Sequence, residues 1–432
     1  MRIELINTGT ELLLGRVLNT HQHWICRRLA DHGYVVNRAT TVPDTGPEIA
    51  AAVQEALGRA DLVLTTGGLG PTSDDRTREL VAELLGLTLR EEPETLARIK
   101  QFFASRNRPM PDRVRIQALV PQGALVLPNP NGTAPGLAID ASPNPFRAGG
   151  PPAWLILLPG PTRELRPMMT DQVIPLLLQR LPRTEPFVCR TLRTTGLGES
   201  LVEERIAGSL DALVRGGLEA GYCARNGEVD IRLVACGTDA QRLVAEAEQA
   251  ILNTLGRHIF GFEDELLEEA VVRLLQESGR TLAVAESCTG GHLANRITNV
   301  PGASKVFLTS LVAYSNQAKQ DLLGVSPETL VRHGAVSEAV AREMAEGIRR
   351  RTGADIAVAT TGIAGPDGGT PEKPVGTVYL GWTDDRGTRV LKRINAYDRE
   401  TFKQITSQQA LELVRRALLR EEREAEKENP AG

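Results

Sequence analysis

A serine and a lysine set the chemical question. Ala285-Glu286-Ser287-Cys288-Thr289-Gly290-Gly291 places a hydroxyl where an apolar run (282–285) meets a glycine turn ahead of a helical stretch (292–298). Tyr314-Ser315-Asn316-Gln317-Ala318-Lys319 places a tyrosine at the end of a second apolar run (306–313) and a lysine in the first turn of the next helix. A hydroxyl needs a base before it attacks a carbonyl, and a lysine serves if it is kept neutral. The positive end of a helix and burial both oppose an added proton. The spacing suits amide hydrolysis by a serine–lysine pair. The bland alternative makes Ser287 a helix N-cap and Lys319 a solvated surface charge.

Composition bears on that choice. Of the 50 Lys+Arg residues only seven are lysines, and six of these follow residue 300. Arginine keeps its proton in a protein whereas lysine can lose it, so a lysine beside a serine in this chain is less readily a spare charge. A net charge of −4 with interspersed signs argues against a nucleic-acid surface, and 4% aromatics offer no stacking platform. Five scattered cysteines without CxxC spacing predict a reducing, cytoplasmic setting with neither disulfide framework nor zinc site. No signal peptide or membrane-spanning run is expected.

Strand and helix patterns alternate over residues 1–180, as in α/β units, with strands expected at 3–7, 34–41, 62–66, 136–139 and 154–158. The Pro/Gly/Ser-rich stretch 141–152 reads as a loop. A linker near 181–186 leads to a small α+β unit, 186–260. It has a strand (188–194), a helix (198–208), two strands (213–222 and 229–234) joined at Arg225-Asn226-Gly227, and a helix (240–255). A second linker near 260–264 precedes an α/β domain, 264–420, with strands at 282–285, 306–313, 356–360, 376–382 and 390–396. Residues 421–432 read as a disordered tail.

Two strand ends echo each other. Thr65-Thr66-Gly67-Gly68-Leu69-Gly70-Pro71 and Thr360-Thr361-Gly362-Ile363-Ala364-Gly365-Pro366 both follow an apolar run. Glycines free backbone N–H groups to face a ligand and threonines add hydroxyls, a combination suited to phosphate. After the first copy come Thr72, Asp74 and Asp75, carboxylates placed to hold a hard divalent cation against phosphate oxygens; helix capping is the alternative. Glu11 and Asn19 follow the first strand and are placed to line the same cleft, at the carboxyl ends of the strands.

These pieces resemble a known family. Thr65 to Glu79 resembles the Gly-Gly-x-Gly…Asp…Thr signature of the molybdopterin-binding MoaB/MogA-like fold, and Asn131-Gly132-Thr133-Ala134-Pro135-Gly136 and Leu158-Pro159-Gly160-Pro161 match elements of its CinA branch. Glu286 to Gly291, Ala313 to Asn316, His333 to Ser337 and Thr361 to Pro366 resemble the nicotinamide mononucleotide deamidases. Their order is similar to that of the CinA, competence/damage-inducible, family, whose middle module is KH-like; no Gly-x-x-Gly clamp occurs in 186–260.

The resemblance implies a MoaB/MogA-like N-terminal domain, a KH-like middle and an α/β amidohydrolase domain. It implies hydrolysis of nicotinamide mononucleotide by Ser287 as nucleophile, Lys319 as base and Tyr314 as a supporting hydroxyl. Cys288 is the rival nucleophile, ranked lower on the family pattern. N–H groups near Thr289 and Gly290 are expected to face the oxyanion, with Gly291 beside them. Thr361 and Gly362 are expected to hold ribose or phosphate, and Arg399 to clamp phosphate; His292 and His333 are expected to be structural. For the N-terminal domain it implies cleavage of ADP-ribose to AMP and ribose 5-phosphate, with Gly67, Gly68, Gly70, Thr72, Glu11, Asn19, Asn131 and Gly160 binding substrate. Asp74 and Asp75 would hold a divalent metal (Mg, Mn or Co), with K+ a further candidate, and the deamidase would need no cofactor. A homodimer acting on small nucleotides, without membrane or nucleic acid, is expected. The competing readings are a molybdopterin-binding protein and a non-catalytic protein of DNA uptake or repair.

Overall fold

The apolar runs of the N-terminal half become sheet interiors. β1 (Ile3–Thr8), β2 (Val36–Val42), β3 (Leu62–Thr66), β6 (Leu125–Leu127), β7 (Gly136–Asp140) and β8 (Trp154–Leu158) form one sheet in the order β2-β1-β3-β8-β7-β6, and β4 (Leu89–Glu91) pairs with β5 (Leu119–Pro121) apart from it. In this computed structural model, which describes residues 1–147, 149 and 152–428, β2, β1, β3 and β8 run parallel while β7 opposes β8. Every residue of β1, β3 and β8 is buried, as strands covered on both faces must be. Leu5, Leu64 and Ile156 meet the helix Thr20–Asp31 on one face, and Ile6, Val63 and Leu155 meet the helix Gly46–Leu57 on the other.

Contacts divide the chain into two units, Met1–Cys189 and Arg190–Gly432. β9 (Phe187–Thr195), which enters the second unit at Arg190, forms a sheet with β10 (Glu219–Arg225), β11 (Glu228–Cys236) and β12 (Ile259–Phe262) in the order β10-β11-β9-β12. A further sheet holds β13 (Leu282–Glu286), β14 (Phe307–Val312), β15 (Ile356–Gly362), β16 (Thr377–Asp384) and β17 (Gly387–Ile394) in the order β14-β13-β15-β16-β17. β14, β13 and β15 are parallel; β16 and β17 are antiparallel. Small residues on one face (Ala283, Ala285, Ala357, Ala359) let the helix Glu338–Thr352 lie close, while Val284, Val358 and Leu380 face Phe402, Leu411 and Val414 of the last helix, Arg399–Glu428.

Three expectations change. The helix expected at 198–208 runs from Glu199 to Arg215, because Val202, Ile206 and Leu210 continue one apolar stripe past the exposed Gly208; Gly216 ends it, and β10 begins at Glu219. The expected linker at 260–264 is largely β12, paired antiparallel with β9. Residues 421–428, expected to be disordered, continue the last helix, since a run of Glu, Arg, Ala and Lys has high helix propensity without any apolar face. Residues 429–432 of that tail, and 148, 150 and 151 of the expected loop 141–152, lie outside the described residues. Among the described residues no helix is long and apolar enough to cross a membrane.

Candidate active site

Strand register builds the C-terminal site. Glu286 on β13 is level with Val312 on β14 and Thr360 on β15. The next residues, Ser287 and Ala313, therefore leave the carboxyl edge of the sheet side by side, next to Thr361, which continues β15, at the edge where open α/β sheets bind ligands. Ser287 N–H donates to Thr360 O (3.0 Å) and Ala313 N–H to Glu286 O (2.8 Å), which holds the three chains together.

Lys319 comes to this edge from the helix Asn316–Leu323, whose first turn is capped by the Ser315 hydroxyl accepting from Ala318 N–H (3.0 Å). The lysine is 1% exposed. Its Nζ lies 3.0 Å from Ser287 Oγ, 2.9 Å from Ala313 O and 3.1 Å from Tyr314 O. Among the described residues it has no carboxylate partner, and burial pulls its pKa below the ordinary lysine value. A neutral amine has two hydrogens and one lone pair. With both hydrogens on the two carbonyls, the lone pair faces the Ser287 hydroxyl, the arrangement a general base requires. The pair expected from sequence is thus in contact across 32 positions of chain.

The turn after Ser287 is held by a residue to which no role was assigned from sequence. Glu286, wholly buried, accepts from the N–H groups of Gly291 (2.9 Å), Leu293 (3.2 Å) and Ala294 (2.8 Å) and from the Ser310 hydroxyl (3.3 Å). Its charge sits at the N-terminus of the helix His292–Thr298, where the helix dipole favours an anion. A carboxylate at a strand end, followed within one turn by glycines and a helix, was the signal available. Gly290 (φ +60°) and Gly291 (φ +92°) adopt the left-handed conformations that this tight return needs. Gly290 N–H donates to Ser287 O (3.2 Å), so the amides of Gly290 and Gly291 are both engaged inside the protein. The Thr289 hydroxyl pairs with that of Thr360 (2.8 Å).

Other expected residues lie around this centre in different roles. Tyr314 turns its hydroxyl outward to Arg399 Nη2 (2.9 Å), and it is its carbonyl that meets Lys319. Arg399 also donates to Gly365 O (2.9 Å). The Thr361 hydroxyl donates to Ala335 O (2.7 Å). Gly362 remains within β15, paired with Val378, so the C-terminal copy of the Thr-Thr-Gly echo is strand through its glycine whereas the N-terminal copy leaves β3 after Thr66; the antiparallel neighbour β16 extends the ladder. His292 Nδ1 lies 3.0 Å from Ser407 Oγ, and His333 O accepts from Lys373 Nζ (2.8 Å).

Cys288 is buried, and desolvation pushes its thiol up to about 12. It is a thiol, not a thiolate, at neutral pH. Brief maleimide treatment at neutral pH is expected to modify the exposed Cys223 and Cys236 and to leave Cys288 unmodified, read by peptide mass. Labelling of Cys288 at the rate of the exposed pair would overturn this account of its surroundings.

In the N-terminal unit Asn7, Thr66 and Leu158 share one register, which brings the loops after β1, β3 and β8 together. Gly67 N–H donates to Leu158 O (2.9 Å), and a Cβ on Gly160 would lie 3.8 Å from Gly67 Cα. Gly68 lies against Thr77, and Gly70 leaves room for Asp75, whose Oδ2 accepts from Thr72 N–H (3.1 Å) and the Thr72 hydroxyl. Asp74 is exposed on the same turn. Asn19 caps the helix Thr20–Asp31 by accepting from Gln22 N–H (3.0 Å). Glu11 and Asn131 are exposed, and no hydrogen bond joins either to Asp75 among the described residues. Glu164, unassigned from sequence, is buried one turn after Gly160 and accepts from Asn129 Nδ2 (2.7 Å), with its carboxyl pushed up by desolvation. No group of three or more His, Cys, Asp or Glu placed to hold a metal occurs among the described residues. Two turn carboxylates beside a glycine loop fit a hard cation that fills its shell with phosphate oxygens and water, not a cage made by protein alone.

Comparison with known proteins covers most of the chain. Residues 264–418 match the family model described as the CinA C-terminal domain, residues 4–179 the "Probable molybdopterin binding domain", and residues 189–261 the damage-inducible protein CinA KH domain. A CinA-like protein of Akkermansia muciniphila is 47% identical over 412 residues, covering 95% of this chain and 96% of the relative. Another, of Kosmotoga olearia, is 43% identical over 422 residues, covering 97% and 99%. The crystal structure of competence/damage inducible protein CihA from Agrobacterium tumefaciens is 41% identical, covering 35% of this chain and 93% of that one, with a TM-score of 0.34.

Proposed function

The chain belongs to the CinA family, and from the geometry around Ser287 we propose that its C-terminal domain hydrolyses the carboxamide of nicotinamide mononucleotide to nicotinate mononucleotide and ammonia. The observation that carries this reading is the buried amine of Lys319, 3.0 Å from Ser287 Oγ and without a carboxylate partner among the described residues. Lys319 takes the hydroxyl proton as Ser287 Oγ bonds to the amide carbon. The resulting ammonium gives that proton to the amide nitrogen, which leaves as ammonia, and water then cleaves the acyl-enzyme ester. Because Gly290 and Gly291 amides are engaged, the oxyanion falls to the N–H groups of Cys288 and Thr289. Tyr314 and Arg399 form a rim suited to the ribose phosphate. Ammonia release from nicotinamide mononucleotide, unchanged by chelator, tests the reading; intact substrate after prolonged incubation would end it. Cys288→Ala is expected to retain the activity.

For the N-terminal, MoaB/MogA-like domain the reading is hydrolysis of ADP-ribose to AMP and ribose 5-phosphate. Asp74 and Asp75 would hold a divalent metal, which supplies charge neutralisation at the pyrophosphate. Asp75 is itself held by Thr72, and the loops at Gly67 and Gly160 provide the backbone approach for phosphate. Asp75→Ala is expected to abolish metal-stimulated AMP formation while leaving ammonia release at the wild-type rate. Equal loss of both activities would contradict two separate sites. A pterin retained on purification, with no AMP formed, would replace this reading by molybdopterin binding.

A further inference from the structure

A hydrogen-bond chain, buried at its centre, crosses from the middle sheet to the helix that follows Ser287. Arg193 on β9, 1% exposed, lies 2.6 Å from Glu228 Oε2 and 2.7 Å from Asp230 Oδ1, both on β11. Gln408 on the last helix, also buried, donates from Nε2 to Glu228 Oε1 (2.6 Å) and accepts at Oε1 from Arg296 Nη2 (2.6 Å). Arg296 belongs to the helix His292–Thr298, and its guanidinium also reaches Glu268 (2.6 Å). Gly227, at the β10–β11 turn, packs so closely that a Cβ would lie 3.0 Å from Gln408 Cγ.

The chain has a fixed direction. Arginines only donate and an ionised glutamate only accepts, so Gln408 must turn its NH2 to Glu228 and its oxygen to Arg296. Burial of Arg193, Glu228 and Gln408 removes the water that would let these three change partner. The helix so gripped is the one whose first turn Glu286 holds and whose entry is the Ser287–Gly291 turn. Glu286 fixes the start of the helix along its axis; Arg296, one turn later, fixes its rotation.

We propose that Glu228 and Gln408 are positioning residues for Ser287, so that the KH-like module serves the C-terminal chemistry by orienting the nucleophile's helix. The rate readout rests on the deamidase reading. Glu228→Gln puts an NH2 group where Gln408 needs an acceptor, and any flip of Gln408 then sets its NH2 against Arg296. Gln408→Met cuts the chain in the middle yet leaves Arg193 with Glu228 and Asp230, and Arg296 with Glu268, so it spares the fold. Each is expected to lower kcat on the order of 10-fold, with KM little changed, because a nucleophile displaced by a fraction of an ångström loses rate and not binding.

The decisive variant exchanges the two residues. In Glu228→Gln/Gln408→Glu the new amide donates to the new carboxylate, which accepts from Arg296, while the amide oxygen accepts from Arg193. The direction and total charge are restored, and kcat is expected to recover to within about twofold of wild type, as a chain rather than its separate members predicts. Folded Gln408→Met with wild-type kcat, or an exchange variant no better than Glu228→Gln, overturns the proposal. If wild-type protein releases no ammonia, the deamidase reading alone has failed. The chain is then judged by amide exchange over His292–Thr298, which Gln408→Met should accelerate and the exchange variant return to the wild-type rate; unchanged exchange in Gln408→Met overturns it.

Discussion

Lys319→Arg is expected to lower ammonia release from nicotinamide mononucleotide by on the order of 10⁴-fold in kcat, the loss typical of disabling one member of a nucleophile–base pair. The substitution keeps a long cationic side chain but removes the function: a guanidinium accepts no proton at any pH the fold survives. It also places an obligate charge in a pocket where the native amine is 1% exposed and has two carbonyls but no carboxylate among the described residues. Lys319→Ala and Ser287→Ala are expected to fall equally far. The double variant should be scarcely worse than either, since the two act as one unit. Substantial turnover by a folded Lys319→Arg enzyme would remove Lys319 from the base role.

The same amine sets the pH dependence. Only neutral Lys319 accepts the Ser287 proton, so kcat should fall as pH drops through its pKa and level off above it. Desolvation pulls that pKa below the ordinary 10.5, so the acid limb belongs at lower pH than a solvated lysine would give. An acid limb at the solvated value would mean that the lysine is not desolvated when the enzyme works.

What the sequence disclosed of this site was local. Ser287 and Lys319 each lie where an apolar strand ends and a helix begins, and both features are written within about ten residues of either one. The relation of the two was legible because few lysines exist to choose from. Side-chain direction was not legible. Tyr314 follows β14, and whether its hydroxyl or its carbonyl meets Lys319 depends on the path of the chain between Ala313 and Ser315. The expected use of Gly290 N–H failed for a similar reason, since the tight turn returns that amide to Ser287 O.

Non-local pairing hid the rest. Phe260-Gly261-Phe262 reads as part of a linker because Gly261 and the short run weaken any strand pattern, and only β9, more than sixty residues earlier, makes Ile259–Phe262 a strand. Glu228 and Gln408 are 180 positions apart, and nothing near either residue marks it as one half of a pair. The unit Arg190–Gly432 joins the middle module to the C-terminal domain through such contacts. Composition shifts locate a boundary between modules; they do not reveal buried charges that cross it.

Glu286→Ala should have the largest effect on stability. The native carboxylate accepts three backbone N–H groups and one hydroxyl in the interior. Removing it leaves Leu293 N–H, on a residue with no exposure, without an acceptor and strips the helix of the anion at its positive end. Breaking a buried, fully hydrogen-bonded charge of this kind costs about 3–5 kcal/mol, enough to separate its urea midpoint clearly from that of wild type. Glu286→Gln should lie between them, because its oxygen serves part of the set while its NH2 confronts a remaining N–H. The order wild type, Gln, Ala is therefore expected in unfolding midpoint and again in ammonia release, since the turn that loses its anchor is the one carrying Ser287. A Glu286→Ala protein as stable as wild type would show that the helix finds its own cap, and the nucleophile would then owe its placement to β13 and Thr360 O alone.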